Sequence, residues 1–252
     1  MKMAPRMRAA LLALLLGSPL APGQSPEPGR FDYRLYDNGD RPVGKYFFTI
    51  ERAGDAWRVA SEMVVDTRFL FLPIRLMDRN SFVHDGRDFR SFHVDYLKDV
   101  PLQRTVRLEV SGVRDEDGWR IQRSEGGDSI RRHLSPNSFD EVRNLVSRLV
   151  RPQAVLRPGQ SRKSTSLDPL SLEISEVVSR GIATDSVDFQ GRRHELFVME
   201  IRASDGDVTV KKFANGLIYL SRTPDGYALL TSARSPFFQP SATPRPDGAR
   251  SP

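Results

Sequence analysis

The 252-residue sequence predicts a mainly β protein, an antiparallel meander curved about one main α-helix. Three observations predict it. Apolar residues recur with period two along most of the chain, the pattern of strands with one buried face. Glycine-containing turn pairs separate these runs at short intervals. One segment alone carries helical spacing.

The chain opens on a targeting pattern. Lys2, Arg6 and Arg8 form a positive region, Ala9 to Leu16 an apolar run, and Gly17, Ser18 and Pro19 a break. Ala21-Pro22-Gly23 then sets small residues at a cleavage spacing before Gln24. Residues 1–23 therefore read as a signal peptide. The run is too short for a membrane anchor, since a spanning helix needs roughly 20 apolar residues. No later segment is apolar enough to span. Residues 24–30 read as a flexible leader, 31–234 as one β-rich domain, and the proline-rich 235–252 as a disordered tail.

Within the domain, Phe31, Tyr33 and Leu35 alternate with polar residues. Tyr46, Phe48 and Ile50 do the same, as do Trp57, Val59, Ser61, Met63 and Val65. Val106, Leu108 and Val110 follow, then Leu170, Leu172 and Ile174. Asn38-Gly39, Gly54-Asp55, Gly126-Gly127, Gln190-Gly191 and Asp225-Gly226 are among the turn pairs between strands. Phe139, Val142, Leu145, Val146, Leu149 and Val150 follow a helical period, and Ser138 with Glu141 forms a capping box. They predict a helix over 137–150, followed by a polar linker from Arg151 to Asp168. The helix packs on the concave face of one sheet; two small β domains are the alternative arrangement.

Composition excludes several classes. With no cysteine, the fold has no disulfide and the chain is no lipoprotein anchored through one. The net charge of +6 falls to +3 once Lys2, Arg6 and Arg8 leave with the signal, and the remaining charges are interspersed. No basic block marks a nucleic-acid surface. His84, His93, His133 and His194 have no metal-ligand spacing, and HExxH, GxSxG and SxxK are absent. No cofactor, metal or catalytic residue is assigned. Asp115-Glu116-Asp117 and Asp205-Gly206-Asp207 fall where hairpin turns are expected.

The unusual stretch is Phe69-Leu70-Phe71-Leu72-Pro73-Ile74-Arg75-Leu76-Met77, apolar at nearly every position. It is either a buried crossover or strand, or an apolar loop whose Phe69, Phe71, Leu72, Ile74 and Met77 bind a lipid-like ligand.

Tyr33-x-x-Tyr36-Asp37-Asn38-Gly39 with Gly44, Leu167-Asp168-Pro169-Leu170-Ser171-Leu172 and Phe213-Ala214-Asn215-Gly216-Leu217-Ile218 together resemble an uncharacterised domain family of exported bacterial proteins. The resemblance spans most of 31–234. It implies the open half-barrel of the envelope's lipoprotein carriers, a curved sheet with an apolar cavity covered by a helix, and a periplasmic location. The expected function is a non-enzymatic envelope protein, a monomer that binds an apolar ligand or an envelope partner. The alternative is an envelope hydrolase or polysaccharide-modifying enzyme using carboxylates in the concave face. A structural accessory of an envelope complex is the third class.

Overall fold

The computed structural model describes residues 28–69, 72–85, 89–142, 156–204, 206, 208–214 and 217–234. All regular structure among them is β. The strands are β1 (Gly29–Asp37), β2 (Pro42–Ala53), β3 (Ala56–Phe69), β4 (Leu72–His84), β5 (Phe89–Asp99), β6 (Val106–Arg114), β7 (Trp119–Glu125) and β8 (Asp128–Leu134). They continue as β9 (Glu141–Val142), β10 (Ser161–Leu167), β11 (Ile174–Phe189), β12 (Arg192–Ala203), β13 (Val208–Ala214), β14 (Leu217–Thr223) and β15 (Gly226–Arg234).

All fifteen belong to one sheet, in the order β8 to β1, then β15 down to β9. Two meanders are thus joined where the first strand pairs with the last, Tyr33 opposite Leu230 and Leu35 opposite Ala228. Every ladder is antiparallel except the short one between β9 and β10. Several of the expected turn pairs stand at the hairpins. Gln190 and Gly191 both take positive φ, 50° and 74°, as do Gly126 and Gly127 at 60° and 98°. That is the hand of turn that matches strand twist.

Alternation fills the interior. Phe31 stacks on Phe48 at 4.7 Å and Tyr33 meets Tyr46 at 5.5 Å between centroids. The rings continue through Phe82 and Phe89, then Phe92, Trp119 and Phe139. Gly112 faces Phe92 across β5 and β6, where an added Cβ would meet the ring at 2.1 Å. The edge strands β8 and β9 are not paired with each other. Two contacts nevertheless cross near these edges: Phe139, just before β9, packs on Trp119 of β7 at 5.1 Å, and Arg132 Nη1 on β8 donates to the carbonyl of Leu172, just before β11, at 3.0 Å. The sheet curls almost into a barrel and stops at this seam.

Three expectations are corrected. No helix occurs among the described residues, and the segment predicted as its start is a turn followed by β9. Phe139 and Val142 are buried, but through a seam and a two-residue strand that pairs with β10. Helical spacing misled because the residues on both sides of a turn can enter the same core. The remainder of that segment, 143–150, lies outside the described residues. The expected linker 151–168 contains β10, a polar strand that pairs with β11. The expected strand through Leu170, Leu172 and Ile174 starts only at Ile174. Asp168 Oδ1 accepts from the Leu170 amide at 2.8 Å, and the Leu172 amide donates to the Asp168 carbonyl at 2.8 Å. This local bonding outcompetes a ladder, and Leu172 enters the core from a turn with φ 59°.

The signal segment, most of the leader and the tail lie outside the described residues; β1 begins at Gly29. No described helix is long and apolar enough to cross a membrane.

Candidate functional site: a groove across the outer face of β1 to β3

The strand period sends Tyr33, Tyr46 and Met63 to the core and their neighbours to the opposite face. On that outer face Arg34 stands opposite Lys45, Lys45 opposite Val64, and Val64 opposite Met77. A groove of about 840 Å³ runs over these strands. Its lining includes the apolar Pro42, Val43, Phe47 and Val64, the tyrosines Tyr33 and Tyr46, and the charged Arg30, Asp32, Arg34, Lys45, Glu62 and Asp66. On β1 the register shifts between Asp32 and Tyr33, within the groove lining, and again between Leu35 and Tyr36. Such bulges bend a strand and increase its twist.

Three of the six charges in this lining, Arg30, Asp32 and Glu62, form ion pairs. Arg30 Nε donates to Asp32 Oδ1 at 3.0 Å, and its guanidinium lies 4.3 Å from the centre of the Phe47 ring. Arg79 Nε donates to Glu62 Oε2 at 3.0 Å. Asp66 stands opposite Arg75 in register. Arg34 and Lys45 are both exposed, and among the described residues neither makes an ion pair or a side-chain hydrogen bond.

The interior face offers different chemistry. Asp78 and Asn80 on β4, Ser61 on β3 and Tyr46 on β2 are all buried beneath the aromatic core. Among the described residues, the Tyr46 hydroxyl, Asp78 Oδ1 and Asn80 Nδ2 have no hydrogen-bond partner. Burial pushes the Asp78 carboxyl up to about 7; Asn80 offsets part of this without reaching hydrogen-bond geometry, and Asp95 adds to it. Burial also raises Tyr46 far above the phenol range, with Ser61 opposing and Asp78 reinforcing. Among the described residues Glu141, on β9, is the other buried carboxylate. With Asp78 1% and Glu141 3% exposed, neither opens to a cleft that could admit a polysaccharide. Among the described residues no cluster of three acidic or histidine side chains could hold a metal ion.

Of the five residues singled out from the sequence, Leu72, Ile74 and Met77 have described side chains, and these three take different surroundings. The run folds back on itself, with Phe69 at the end of β3 paired to Leu72 at the start of β4. Leu72 is exposed, Ile74 is buried in the core, and Met77 is half-buried on the outer face beside Val64. Phe71 lies outside the described residues. The sequence reading passed over Arg34, Lys45, Phe47 and Val64. The legible signal was Phe47, an aromatic between two core aromatics and so on the face that alternation assigns to water.

The fold and its outer groove describe a β-barrel-like protein whose sheet is left open at one seam. It is similar to the crystal structure of a β-barrel-like protein of a domain of unknown function, DUF1849, from Brucella abortus. The two share 12% identity and a TM-score of 0.57, over 84% of this chain and 99% of that one. At that identity the likeness shows the fold alone. No family model and no curated protein matches the chain.

Proposed function

We propose that this chain is an exported, non-enzymatic protein of the bacterial envelope that holds an apolar, chain-like ligand in the groove over β1 to β3. One observation supports the reading above others: an outer groove of about 840 Å³ whose lining includes Val43, Phe47 and Val64. Sites for small organic ligands are typically clefts of roughly 300–1,000 Å³ with mostly apolar walls. Val43 also packs against the core, but Phe47 and Val64 lie on the outward face and contribute little to it, so their presence at a groove suits a ligand. Burial of an acyl chain gains roughly 25 cal/mol per Å² removed from water. Met77, from the 69–77 run, extends the apolar row beyond Val64.

Titration of the purified protein with a fluorescent long-chain probe tests the reading. The wild type takes up the probe, and Phe47→Ser with Val64→Ser weakens uptake about tenfold while the fold survives, because both side chains face away from the core. Absence of uptake by the wild type overturns the reading. Export rests on the signal pattern, and N-terminal sequencing of the exported protein should start at Gln24; retention of Met1 refutes it.

A further inference from the structure

We infer that the ligand of this groove carries an anionic head, a carboxylate or phosphate, held between Arg34 and Lys45. The inference rests on the apolar-ligand reading of the same groove. It begins from a local conflict. Arg34 and Lys45 are direct cross-strand partners on β1 and β2. Side chains so placed start roughly 4.5–5.5 Å apart at Cβ, and like charges there repel. An ordinary strand pair relieves this with a nearby carboxylate. Here two of the nearby carboxylates are engaged elsewhere, Asp32 with Arg30 at 3.0 Å and Glu62 with Arg79 at 3.0 Å, and Asp66 forms no ion pair with either cation among the described residues. No carboxylate lies within ion-pair distance of either cation among the described residues.

A single anion between the two turns that repulsion into two attractions. The guanidinium offers a planar fork suited to carboxylate or phosphate oxygens, and the ammonium adds a point charge. The neighbouring apolar wall matters too. Val64 is the cross-strand partner of Lys45, so a chain lying over Val64 and Phe47 would deliver its head group to the cations and exclude water around them. The arrangement fits an acidic amphiphile: tail on the apolar lining, head on the Arg34–Lys45 pair.

The test titrates the purified protein with a long-chain fluorescent fatty acid, its uncharged methyl ester, and inorganic phosphate as competitor. The acid should bind about tenfold or more tightly than the ester, since hydrogen bonds to charged groups are the stronger kind. That preference should shrink as salt is raised. Arg34→Gln with Lys45→Gln should abolish the preference of acid over ester. Arg34→Glu with Lys45→Glu should reverse the preference toward a long-chain amine. Phosphate alone should compete only weakly, because it lacks the tail; tight phosphate binding overturns the amphiphile assignment. Equal binding of acid and ester by the wild type overturns the head-group inference and leaves the apolar reading standing. Binding of neither overturns both.

Discussion

Asp78 is a buried carboxylate that carries a polar cost in this fold. It stands on the core face of β4, opposite Met63 on β3 and Tyr96 on β5, with Asn80 two residues along the same face. Buried polar groups are normally satisfied, and Asp78 Oδ1 has no hydrogen-bond partner among the described residues. The ordinary carboxyl value is 3.8, and burial pushes Asp78 to about 7. Because the folded value is the higher one, the folded state holds this proton more strongly. Its contribution to stability is complete below about pH 4 and is lost as pH rises through about 7. The full difference amounts to roughly 4 kcal/mol. Asp78→Asn should therefore flatten the fall in stability between pH 4 and 8 and leave a more stable protein at pH 8. Urea denaturation across that range measures it; identical pH profiles for the two proteins would show that Asp78 keeps its ordinary titration in the fold.

Among the elements, the seam between β8 and β9 is the most informative. A long sheet leaves two edges, and edges invite unwanted pairing. Here the turn after β8 carries Phe139 across onto Trp119, and Arg132 reaches the Leu172 carbonyl. The seam is held by side chains where a closed barrel would use a ladder. Phe139→Ala should cost about 3–5 kcal/mol, the range for a buried aromatic, with the loss read from the denaturation midpoint. A loss under about 1 kcal/mol would mean that the seam is not part of the core. The same region shows why sequence patterns mislead at element boundaries. Phe139 and Val142 are three apart and both buried, which a helix explains as readily as a turn running into a strand. The 69–77 run misleads in the opposite way. Its near-continuous apolarity hid a hairpin in which Ile74 faces inward, Met77 faces outward and Leu72 is exposed.

For the whole molecule, the decisive contact is the pairing of β1 with β15 in the middle of the sheet. It makes the first and last strands an internal joint, so the two meanders form one sheet and one main core. Removing residues 225–252 deletes β15, exposes the inner edges of β1 and β14, and uncovers Tyr33 and Leu35. That truncation should abolish cooperative folding. Truncation after Arg234 keeps every described ladder and should leave the melting temperature nearly unchanged. A large drop would show that the residues after Arg234 stabilise the body.

The β class, several hairpin positions and the inward set Phe31, Tyr33, Leu35, Tyr46, Phe48 and Ile50 were determined by the sequence alone, because a period of two assigns faces without knowledge of partners. The partners themselves belong to the tertiary structure. Nothing in the spacing of Arg34 and Lys45 says that they oppose each other, since register depends on the turn between them and on bulges in β1. The outer groove, the buried Asp78 cluster and the seam arise in the same way, from residues far apart in the chain placed on neighbouring strands. Local periodicity records which face a side chain occupies; only the curling and pairing of the sheet decides what it meets there.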